Sequence, residues 1–71
     1  MFKTWLKEER QKRAMTQADF ADFIGVSRPM LRAYEVGEKY PSPATIRLIA
    51  GATRCSIKKI TTLIKEQKNA M

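Results

Sequence analysis

Residues 16–37, TQADFADFIGVSRPMLRAYEVG, leave the backbone few courses to take. Thr16 is placed to cap a helix over 16–24, and Asp19 three residues on supplies a Thr-x-x-Asp form of the capping box. Phe20, Ala21 and Ile24 then fall on one face. Gly25 stands where that helix must stop, because a residue without Cβ adopts the left-handed cap conformation at little cost. Val26 fills the corner, and Ser27 caps a second helix over 28–35 with Leu31 and Tyr34 as its buried stripe. Arg28 and Arg32, four apart, share a different face. Two short helices around a glycine turn, with cations on the outer face of the second, suit a unit that lays a helix against DNA.

The flanks read as three more helices. Residues 2–14 lack Pro and Gly, and Phe2, Trp5 and Leu6 give the first half an apolar stripe while Arg10, Lys12 and Arg13 make the second half basic. Met15 is the residue before the Thr16 cap, placed to pack on Phe20 as a hydrophobic staple. Gly37 closes the second helix of the central unit, and 38–41 form a loop. Ser42-Pro43 restarts a helix, with Pro at the first position, where its missing N–H is harmless. Ile46, Ile49, Ala50 and Thr53 line one side of it; Gly51 weakens it and is expected to admit a close neighbour. Ser56 caps a last helix carrying Ile57, Ile60, Leu63 and Ile64. The expectation is an all-α, compact five-helix domain over 1–66, with 67–71 a frayed tail.

In 71 residues there is room for a single modest core, so stability is limited. Lys and Arg number 14 against 7 Asp and Glu, with no His, a net charge of +7. That excess favours nucleic acid or an anionic surface. It is unevenly spread: Lys3, Lys7, Arg10, Lys12 and Arg13 crowd the start, and Arg54, Lys58, Lys59, Lys65 and Lys68 the end, whereas 15–27 hold only Asp19 and Asp22. One cysteine, Cys55, forms no internal disulfide and reads as a small core residue. Neither metal nor cofactor is expected, and without His or a nucleophile–base pair no enzyme is expected either. Apolar runs are too short to span a membrane and no signal-peptide core is present, so a cytoplasmic location is expected.

The pattern Thr16-Gln17-x3-Ala21-x3-Gly25-Val26-Ser27-x7-Glu35-x-Gly37-x3-Pro41-Ser42-x6-Ile49-Ala50 resembles the helix-turn-helix domain of the phage repressor and Cro family, over roughly residues 3–64. The resemblance implies the lambda-repressor-like fold and a dimeric regulator of transcription, of phage, prophage or plasmid type, bound to a palindromic double-stranded operator. It implies base reading by Arg28, Pro29, Arg32 and Ala33, and phosphate contacts by Gln17, Arg10, Lys39 and Tyr40. Arg10 and Glu35 match a pair that forms a buried ion pair in some relatives. The chain departs from the family pattern at Pro29, Ala33, Phe23 and Arg54, and in having Ile60 to Ile64 where relatives often carry a Trp-Leu pair.

On chemistry alone, the Arg28 fork matches guanine O6 and N7, against the plainer reading of a phosphate contact. Arg32 suits a phosphate as well as a base. Pro29 offers a thymine methyl only apolar contact and otherwise just stiffens the helix start. Gln17 sits at a helix N-terminus, where a phosphate is favoured. The dimer is expected through the last helix, or through a loop contact near Tyr40 and Thr61. Phe23 and Trp5 find no clear place in the core and mark a possible protein-partner surface. Such a surface suits the second reading, an antitoxin that binds a protein toxin and represses its own operon.

Overall fold

The computed structural model describes residues 1–70. Five helices make up the described chain: α1 (Phe2–Lys12), α2 (Gln17–Ile24), α3 (Arg28–Val36), α4 (Pro43–Thr53) and α5 (Ile57–Ala70). Each start expected from a Ser or Thr is built that way. Asp19 N–H donates to Thr16 Oγ1 at 3.1 Å, Met30 N–H to Ser27 Oγ at 3.3 Å, Thr45 N–H to Ser42 Oγ at 3.3 Å and Lys59 N–H to Ser56 Oγ at 3.1 Å. A side-chain cap of this kind contributes about 1 kcal/mol. Gly25 and Gly37 end α2 and α3 at φ +100° and +83°. The last residue of the α4 cap is Arg54 at φ 59°, a left-handed conformation that side chains occupy only at a cost.

The helices wrap one core. α1 packs on α3 and α5, α2 on α3 and α4, and α4 on α5. Phe2, Leu6, Phe20, Leu31, Ile49 and Ile60 are fully buried, with Ala21, Ile24, Tyr34 and Ile64 beside them. Each large apolar side chain taken wholly out of water stabilises the fold by about 1.5–3 kcal/mol. Met15 and Val26 pack against this cluster, as staple and corner residue, and Cys55 is half-buried against it. Trp5 also packs there, its ring 6.1 Å from that of Phe2.

Two expectations change. First, α5 continues past residue 66 to Ala70, and Gln67 is completely buried. Its Oε1 accepts the Lys3 N–H at 2.8 Å, so the far end of the chain caps α1, whose own N-cap residue Met1 offers no side-chain bond. The tail expected over 67–71 is thus helical up to Ala70, and Met71 lies outside the described residues. Second, Gly51 has nothing within 4 Å of where a Cβ would stand, so it admits no close neighbour. A mid-helix glycine in open space only enlarges the entropy of the unfolded chain. Gly51→Ala is therefore expected to stabilise the protein by about 0.5–1 kcal/mol, read as a higher thermal midpoint; a loss would mean that the position is crowded after all.

Candidate nucleic-acid interface

A buried carboxylate organises this region. Glu35, on α3, has a side chain only 2% exposed, and the Arg10 guanidinium grips it from α1: Nε to Oε2 at 2.9 Å and Nη2 to Oε1 at 3.2 Å. The remaining Arg10 nitrogen, Nη1, donates to the Met15 carbonyl at 3.1 Å. Gln17 Nε2, at the start of α2, donates to the same Glu35 Oε1 at 3.2 Å. One carboxylate thus receives α1 and α2 together and fixes how α3 sits against both. Bidentate arginine–carboxylate geometry is directional as well as strong.

Arg10 and Gln17 therefore stand differently from what was expected of them. The Arg10 guanidinium is engaged inside the protein through all three nitrogens, and its side chain is 15% exposed, so three of its five N–H donors are committed to Glu35 and Met15. Gln17 is half-buried with its amide on Glu35. What α2 offers outward at its start is main chain: Asp19 N–H goes to Thr16, whereas the N–H groups of the first helical turn ahead of it have no partner within the helix.

On α3 the outward edge is Arg28, Pro29, Arg32 and Val36, all exposed. A helix turns about 100° per residue and rises about 1.5 Å, so Arg28, Arg32 and Val36 run down one stripe about 6 Å apart. Leu31, Tyr34 and Glu35 face inward, and so does Ala33, only 6% exposed. Ala33, expected to face the groove, thus has its methyl on the flank turned to the protein. Val36, 46% exposed and apolar, takes a place on the outer edge that the sequence reading did not consider. The spacing of 28, 32 and 36 could have shown it.

Beyond α3, the Glu38 N–H donates to the Ala33 carbonyl at 2.9 Å and the Lys39 N–H to the same oxygen at 3.4 Å, fixing the loop as it leaves the helix. Lys39 is exposed; Tyr40 is half-buried, with Lys68 Nζ 4.8 Å over its ring. At the other end of the region, burial works to raise the carboxyl of Glu9, but hydrogen bonds and charge from Lys12 and Arg13 outweigh it and hold that group below the usual carboxylate range. Arg13 Nη2 reaches on to the Thr53 carbonyl at 3.5 Å, joining the end of α1 to the end of α4.

The other expected surfaces are only partly there. Ile60 and Ile64 are absorbed by the core and Leu63 is half-buried, so Ile57, 48% exposed, is the apolar residue that α5 leaves mostly open. Phe23 is 47% exposed with its ring 6.3 Å from Phe20, whereas Trp5 is packed on the core; each has its own aromatic neighbour and nothing brings the two together as one patch.

Comparison with known proteins agrees with this geometry. A family model described as helix-turn-helix matches residues 6–60, and the chain belongs to that family. It is also similar to YqaE of Bacillus subtilis (strain 168), named an uncharacterized HTH-type transcriptional regulator, at 39% identity over 46 residues. That match takes in 65% of this chain and 40% of the relative, so the chain spans about two-fifths of the relative's length. No solved structure matches.

The Arg10–Glu35 pair gives a direct test. Removing one partner from a buried pair leaves an uncompensated charge, so Arg10→Ala or Glu35→Ala is expected to cost about 3 kcal/mol. The double change should cost clearly less than the two singles together. Urea or thermal unfolding of the four proteins reads this, and simple additivity would mean that the two groups do not depend on each other.

Proposed function

We propose that this chain is a sequence-specific, double-stranded DNA-binding regulator of transcription. It inserts α3 into the major groove and acts as a repressor by occupying an operator and excluding polymerase. The observation that carries this reading is the outer edge of α3, with Arg28, Pro29, Arg32 and Val36 exposed on a helix locked from behind by Glu35. Membership of the helix-turn-helix family, the name of the Bacillus relative and the net charge of +7 support it. Arg28 reads a guanine, Arg32 a base or a phosphate, and Pro29 and Val36 supply apolar contact. The first-turn N–H groups of α2, with Lys39 and Tyr40, hold the sugar-phosphate backbone on either side. The site is a palindrome bound by two copies meeting near Ile57 and Leu63 of α5, and the protein works in the cytoplasm. An antitoxin role is the second reading, favoured by Phe23 standing exposed away from α3.

Selection of bound sequences from a random duplex pool is expected to return a palindromic consensus whose half-sites each contain a guanine. A consensus without two-fold symmetry would dismiss the dimer, and no enrichment would dismiss sequence reading. Arg28→Ala should then cost about 1–3 kcal/mol on that consensus and far less on random DNA, because alanine loses the fork that matches guanine. Titration of both proteins on each duplex at one salt concentration measures this. Equal losses on the two would mean that Arg28 only grips a phosphate.

A further inference from the structure

We propose that Glu38 is a specificity-determining residue, holding Arg32 toward the base edges and away from the phosphates. The inference rests on the DNA-reading role given to α3 above. Arg32 Nη1 lies 3.9 Å from Glu38 Oε1, with the two side chains 59% and 62% exposed. As a source of stability an exposed pair of this kind contributes little. Its placement is what matters. Glu38 is not on a loose loop, since its N–H and that of Lys39 both close on the Ala33 carbonyl of the same helix that carries Arg32. Left-handed Gly37, between them in the chain, completes that cap. The backbone that carries this carboxylate is thereby fixed at the edge of α3, in a chain whose 14 cations number twice its 7 anions.

Such a carboxylate weakens generic DNA binding, and two effects make the weakening selective. On arbitrary DNA the best partner for Arg32 is a phosphate, reached for its charge alone. Glu38 competes for that charge and repels the phosphate that approaches. On a matched site Arg32 can keep Glu38 on one edge of its planar five-donor guanidinium and present the others to a base. The carboxylate then braces the geometry instead of opposing it. A group that penalises the wrong complex more than the right one raises specificity while lowering overall affinity.

The test uses Glu38→Gln, which keeps the size and removes the charge, in the whole chain and in an Arg32→Ala background. Each protein is titrated against the selected duplex and a random duplex at the same salt, after thermal melting has shown an unchanged fold. Glu38→Gln should tighten the random duplex about threefold or more while moving the selected one less than about twofold, so that the preference falls. In the Arg32→Ala background the same change should leave the preference where Arg32→Ala alone put it. Equal tightening on both duplexes would overturn the proposal, reducing Glu38 to one unit of net charge. An effect that persisted without Arg32 would overturn it too, since Glu38 would then be meeting the DNA itself. Absence of any preference in the unsubstituted chain is a separate result and would remove the reading role of α3.

Discussion

The placement of α3 depends on a single buried carboxylate. Glu35 takes the fork of Arg10 from α1 and the amide of Gln17 from α2, so three helices are referred to one point. Apolar packing alone would set the distance of α3 from its neighbours but would leave its rotation and slide loosely determined, because hydrophobic contact has no direction. A two-pronged hydrogen bond has direction. Such a pair need not stabilise the fold on balance, given what it costs to take both charges from water. Its contribution here is positional: the opposite side of α3 is where Arg28 and Arg32 stand.

That arrangement separates the polar residues committed to the interior from those left on the surface. Arg10 and Gln17 turn donors to Met15 and Glu35, while the first N–H groups of α2 have no partner within the helix. Pro29 sharpens the division on α3. It has no N–H, and the Met30 N–H is already taken by Ser27, so the start of α3 has few main-chain donors to give. On the proposed function, contact from α3 comes from side chains, which is where sequence information is read.

Much of this was legible in the sequence because it is written in local rules. Four Ser or Thr caps, the two glycine stops and the apolar spacing each concern residues within five positions of one another, and they place the helices closely. The Arg10–Glu35 pairing joins positions 25 apart, and it came from the family resemblance and not from any local pattern. What stayed hidden was long-range or a matter of side-chain direction. Gln67 looks like any polar residue in a charged tail until α1 arrives beside it. Ala33 follows Arg32 in the chain, yet one step of about 100° turns it from the outer edge to the covered flank. Gln17 reads in sequence only as a helix-start residue suited to a phosphate, and the fold alone brings Glu35 within 3.2 Å of its amide.

The bond from Lys3 N–H to Gln67 Oε1 spans 64 positions of a 71-residue chain. Helical domains fold fast when their contacts are local, and this bond closes a loop of 64 positions. Closure entropy grows only with the logarithm of length, so the extra cost over a loop of about 20 residues is about 1 kcal/mol. That cost still sets an order of assembly. The central pair α2–α3 can form from neighbours in sequence, while the α1–α5 seam has to wait for both ends of the chain to meet. The inner face of that seam is Phe2 and Gln67, both fully buried, with the Tyr34 ring of α3 set edge-on to Phe2.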